Sequence, residues 1–155
     1  MATKLSEHFT LEEMVYSATA DANHIDNTPT AEHRAHLQEL VTNLLEPLRV
    51  AWGGSIKVTS GYRGFRLNQK VNGSKSSAHC NGYAADLVPS DGRIKEFKKF
   101  TKDWLRTSGR KYDQFIDERK TNGSEWVHLG LKNGRGGQRK QNLKTLDGKN
   151  YTLLS

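Results

Sequence analysis

The feature that most constrains this chain is a change in the period of its apolar residues. Leu37, Leu40, Val41, Leu44 and Leu48 recur at helical spacing, the stripe of an amphipathic helix that must bury one face. Beyond residue 55 the apolar runs are short. Ile56 and Val58 alternate with polar residues in Ser55 to Ser60, Ala84 to Val88 reads as a buried strand, and Tyr112 to Ile116 and Trp126 to Leu131 read as two more. Asp91 to Thr107 interrupts them with a basic helix whose inner face draws on Ile94, Phe97, Phe100, Trp104 and Leu105. Helices first, then strands with a helix among them, predict an α+β fold with helices packed on a small antiparallel sheet. With 155 residues the chain suits a single domain, residues 1–155.

Local punctuation supports this order. Thr10-Leu11-Glu12-Glu13 has the form of a capping box and predicts a short helix over Leu11 to Ala18. Asn27-Thr28-Pro29-Thr30 breaks the chain and offers Thr30 as the next cap. The main helix ends near Trp52-Gly53-Gly54, and Pro47 inside it should kink it or be tolerated at a bend, because its ring removes one backbone donor. Arg66 to Val71 has room for one helical turn, residues 72–77 are loop, and Asp147-Gly148 suits the type I′ turn of a closing hairpin.

No stretch approaches the roughly 18 consecutive apolar residues of a spanning helix, and Met1 to Thr10 has neither a basic nor an apolar leader region, so no export signal is expected. Residues 1–50 hold three Lys/Arg against eight Asp/Glu, whereas residues 51–155 hold 21 against nine. The basic part attracts polyanions, whether nucleic acid or an acidic cell envelope. Only one cysteine, Cys80, is present. That excludes an intramolecular disulfide framework and an all-cysteine zinc site, and turns attention to the histidines.

His79 and Asp86 in Ser77 to Asp86, with His128 in Glu125-Trp126-Val127-His128, offer two imidazoles and a carboxylate, a set that holds zinc while leaving a position open. Gly82 permits the tight turn that brings His79 and Asp86 to one place. Glu125 is the candidate general base. In an ideal strand it shares a face with Val127 and not with His128, so that role requires Glu125 to lie in the turn before the strand begins. Arg63, on the turn after the first strand, suits a substrate carboxylate or a developing oxyanion. Taken singly, each of these residues has a plainer reading as a packed histidine or a surface ion pair. Cys80 reads as a packing residue, and His8, His24, His33 and His36 as surface groups.

Together the motifs resemble the zinc D-Ala-D-Ala carboxypeptidase family, which also includes dipeptidases and L-alanyl-D-glutamate peptidases. Ser77-Ala78-His79-Cys80-Asn81-Gly82-Tyr83-Ala84-Ala85-Asp86 fits its SxHxxGxAxD signature, and Glu125 to His128 its ExxH. Ser60-Gly61-Tyr62-Arg63, the loop Gly73 to Ser77, the opening His8 to Glu13 and Leu45 to Arg49 are also similar, so the resemblance covers about residues 7–131. It implies a Hedgehog/DD-peptidase-like fold and one Zn2+ per chain held by His79, Asp86 and His128. It implies Glu125 as base, and Arg63 and Ser77 as substrate-binding groups that also steady the oxyanion. Residues 132–155 form a basic tail outside it.

Family members cut peptide bonds in peptidoglycan stem peptides, so this chain is expected to be a hydrolase acting on the cell wall, either carboxypeptidase or endopeptidase. Its compact form resembles a bacteriophage endolysin, made in the host cytoplasm, released by lysis proteins or delivered with the virion, and acting as a monomer. Its positive charge would then serve anionic wall polymers. Two other readings compete: a non-catalytic wall-binding or phage structural protein with the same fold, against which an intact Glu125 argues, and a nucleic-acid binder. The scattered basic residues lack an aromatic stacking pattern, so no nucleic-acid partner is expected.

Overall fold

The computed structural model describes residues 2–154. Thr10 caps α1 (Leu11–Val15) by accepting from the Glu13 amide at 3.2 Å, and Ser17 caps α2 (Ala18–Ala22). The single N-terminal helix of the sequence reading is therefore two short ones. Thr30 caps α3 (Ala31–Leu40), which passes through a π-helical turn (Val41–Leu45) into α4 (Glu46–Trp52). The wider turn just ahead of Pro47 lets the helix continue without the missing amide. The Asn43 carbonyl, which an α-helical amide at position 47 would have used, accepts from Arg110 Nη1 at 3.2 Å. Leu37, Leu40, Val41, Leu44, Leu45 and Leu48 are all fully buried on this helix.

Six strands form one sheet. They are β1 (Ile56–Ser60), β2 (Ala84–Pro89), β3 (Gln114–Arg119), β4 (Glu125–Gly130), β5 (Gln141–Thr145) and β6 (Tyr151–Leu153), in the spatial order β1-β2-β4-β3-β5-β6. The expected antiparallel sheet is present in β1, β2, β4 and β3, but β5 runs parallel to β3, so the whole sheet is mixed. The predicted hairpin joins β5 to β6. Its loop spans residues 146–150, however, and Gly148 alone within it has positive φ, so it is not a two-residue type I′ turn. Between strands lie α5 (Phe65–Lys70), a 3-10 turn (Ala78–Asn81) and α6 (Ile94–Ser108).

The two faces of the sheet differ in chemistry. Ala85, Leu87, Phe115, Val127 and Leu129 pack with Phe97 and Leu105 of α6 and with the leucines of the long helix. The opposite face carries Asp86, Gln114, Ile116, Glu118, Trp126 and His128 and lines a cleft. Strand alternation makes both faces at once.

The tail is fastened to this frame through Asp113, only 2% exposed, which accepts from the Arg139 amide at 3.1 Å and from its guanidinium at 2.8 and 2.9 Å. Burial alone would raise the Asp113 carboxyl, but Arg139 outweighs it and holds the group below its ordinary value. A depressed folded-state value stabilises above the unfolded value and loses that contribution as pH falls through the folded one. Arg139→Ala is thus expected to cost about 1–2 kcal/mol at pH 7. In urea titrations, the difference from wild type should shrink below about pH 4.

Candidate metal centre

The local chain path explains how the centre is assembled. The Gly61 carbonyl at the end of β1 accepts from His79 Nδ1 at 2.7 Å, which fixes the proton on that nitrogen and turns Nε2 toward the cleft. Ser77 caps the 3-10 turn by accepting from the His79 amide at 3.2 Å. Gly82 then turns the chain at φ 81°, against the His33 carbonyl, where a side chain would have no room. The chain enters β2 two residues later, and the register sets Asp86 directly opposite His128.

Three donors converge. Asp86 Oδ1 lies 3.3 Å from His79 Nε2 and 3.1 Å from His128 Nδ1, and the ligand atoms of the three residues all fall within 4.8 Å of one another. His79 is 3% and His128 8% exposed. Burial opposes ionisation of Asp86, but the His79 and His128 rings overcome it and hold the carboxyl well below the usual carboxylate range. The set fits zinc. A tetrahedral ion with bonds of 2.0–2.2 Å needs donors about 3.4 Å apart, and the 3.3 and 3.1 Å separations of Asp86 Oδ1 from the two imidazole nitrogens are close to that. Cys80 stands outside this group, its thiol pushed up by burial.

Arg63 and Ser77 are brought together: Arg63 Nη2 donates to Ser77 Oγ at 3.0 Å, and the Arg63 amide donates to the His79 carbonyl at 3.1 Å. Both side chains line a cleft of about 890 Å³ that also holds His79, Asp86 and His128. Arg63 Nε is buried with no partner among the described residues.

Glu125 is placed differently from expectation. It opens β4, paired with Arg119, and does not lie in the preceding turn. Its carboxylate turns to the helix side, 2.7 Å from Lys98 Nζ of α6, which also lies 2.5 Å from Asp117 Oδ1. The hydrogen bond from Lys98 lowers the Glu125 carboxyl, and Glu125 is absent from the cleft lining. The acid in the cleft is Glu118, on β3 opposite Trp126 and two residues from Ile116, the partner of His128. Glu118 is 9% exposed, and its Oε2 accepts from Trp126 Nε1 at 2.9 Å. Burial pushes its carboxyl up, and the negative Asp86 adds to that, against the pull of His128, Trp126 and Arg63. Sequence reading missed Glu118 because it ended this strand at Ile116; the period-two run Gln114, Ile116, Glu118 was the available signal.

His33 and His36 are half-buried supports and not free surface groups. His33 Nδ1 meets the Tyr62 hydroxyl at 2.9 Å. His36 stacks on Tyr83 at 4.1 Å, with Nδ1 2.7 Å from the Asn81 carbonyl.

An α+β frame carrying two histidines and an aspartate in a sheet-face cleft, with a buried acid beside them, offers a ligand group that could hold a metal ion, as zinc peptidases require. The chain belongs to the Peptidase M15 family, whose model matches residues 7–129. It is accordingly a hydrolase of a zinc-dependent metallopeptidase family, and His79, Asp86 and His128 are the group that can bind the ion. Comparison with curated proteins gives no match. No helix among the described residues is long and apolar enough to cross a membrane.

Proposed function

We propose that this chain is a single-domain zinc peptidase that hydrolyses peptide bonds in peptidoglycan stem peptides, in the manner of a phage endolysin. The observation that carries the reading is the convergence of His79, Asp86, His128 and the buried Glu118 in one cleft. When bound, zinc supplies Lewis acidity to water and to the scissile carbonyl. Glu118 is the general base in this proposal, in place of Glu125. Its raised proton affinity lets it take a proton from the attacking water and return it to the leaving amine, while Trp126 holds Oε2 and Oε1 stays free for the transfer. Arg63, steadied by Ser77, meets the developing oxyanion or a substrate carboxylate. The excess of Lys/Arg after residue 50 supports retention on anionic wall polymers.

The test is mass spectrometry of muropeptides after incubating purified sacculi with the zinc-loaded protein. New fragments are expected whose masses identify a D-Ala-D-Ala or an L-Ala-D-Glu linkage, lost with a chelator and restored by zinc. Tight wall binding with all muropeptide masses unchanged would instead select the non-catalytic wall-binding reading.

A further inference from the structure

β5 and β6 lie beyond the residues that the family model matches, yet they build one wall of the cleft. Thr145 pairs with Glu118 on one side and with Tyr151 on the other. Trp126, Glu118, Thr145 and Tyr151 therefore form one row across four strands, on the face that holds His128. At a strand spacing of about 4.8 Å, the Tyr151 backbone stands about 10 Å from that of Glu118, and both side chains border the same cavity. Tyr151 is 47% exposed, and its hydroxyl makes one long hydrogen bond, to the Gly148 carbonyl at 3.3 Å. So weak a tether leaves the phenol available to a ligand. Burial, then the negative charges of Glu118, Asp86 and Asp147, raise the phenol's hold on its proton and keep it a donor. Arg63 occupies the opposite wall, on the turn after β1.

A peptide crossing the metal centre thus passes between Arg63 and Tyr151. We propose that Tyr151 is a substrate-binding residue whose hydroxyl donates a hydrogen bond to a backbone carbonyl of the peptide in the cleft. A neutral donor suits this wall, because Glu118, Asp86 and Asp147 make it unfavourable for an anionic group. The proposal rests on the peptidase reading above.

The experiment uses muropeptides released from sacculi by a muramidase. KM and kcat are read in the otherwise wild-type zinc-loaded protein, and Kd by calorimetry in a Glu118→Gln background so that the peptide stays intact. Tyr151→Phe is expected to raise both KM and Kd about five- to tenfold, the equivalent of one lost hydrogen bond. It should leave kcat within about twofold, with zinc content and melting temperature unchanged. Tyr151→Ala should raise Kd further through loss of the ring. Wild-type KM and Kd in Tyr151→Phe would overturn the assignment while leaving the peptidase intact. Binding that depends on Tyr151 in a protein that cuts nothing would uphold it and remove the peptidase reading. A wild type that neither binds nor cuts muropeptides would overturn both.

Discussion

Glu118→Gln is expected to lower kcat by about 10²–10⁴-fold, the usual contribution of a positioned proton acceptor, while the protein still takes up zinc. The isosteric amide keeps an oxygen for Trp126 Nε1, which now donates at 2.9 Å to Oε2, so loss of fold should not contribute. The informative partner is Glu125→Gln. Glu125 faces α6 and is held by Lys98, so its replacement should leave kcat within about threefold because it touches no reacting atom. It should cost about 1–3 kcal/mol of stability as Lys98, itself buried, keeps only Asp117 and the Glu118 carbonyl. Turnover by each variant, with zinc measured alongside, settles the matter. A silent Glu125→Gln beside an active Glu118→Gln would return the base to the position that the ExxH motif suggested.

Gly61→Ala should be a strongly damaging single-methyl change. A Cβ at Gly61 would land on the Met14 carbonyl oxygen, well inside van der Waals contact. That carbonyl already accepts from the Tyr62 amide at 2.7 Å, which joins α1 to the end of β1. The obstacle is backbone on both sides, so relief must come from moving the strand end. The Gly61 carbonyl also orients His79, and disturbing such a partner of a metal-binding histidine typically weakens metal binding 10–100-fold. Calorimetric zinc titration should therefore show a loss of that order, together with about 2–4 kcal/mol of destabilisation in thermal melts. Wild-type zinc affinity in a well-folded Gly61→Ala protein would show that His79 needs no such support.

How much was legible in the sequence depended on how local each cause is. The leucine stripe of the long helix could be read because helical periodicity is a property of neighbouring residues, and all of Leu37, Leu40, Val41, Leu44 and Leu48 are buried. The grouping of His79, Asp86 and His128 was also legible, since one tight turn and one strand contact bring the three together. The end of β3 was not, because Asp117 to Arg119 are strand only through pairing with β4, and no apolar residue announces them. Glu118 was lost with that boundary. The parallel addition of β5 was hidden for a similar reason: its partner is a strand two elements earlier, and the crossing segment carries only polar signals. Pro47 was read as a kink or a tolerated bend, with the choice left open because nothing local reports the distant Arg110 that serves the freed carbonyl.

An ion cluster lies behind the sheet, where β3 pairs with β4. Lys98 and Arg119 meet Asp117 and Glu125 there, two positive groups against two negative. Were β3 to slip by one residue against β4, every side chain on it would change faces. Glu118 would then turn toward Lys98, and Asp117 would enter the cleft beside Trp126. The slipped hairpin would keep its hydrogen bonds and its charge yet present a shorter, misplaced acid to the substrate. What separates the two alignments is packing: only the native one keeps Phe115 in the core and Glu118 in the cleft.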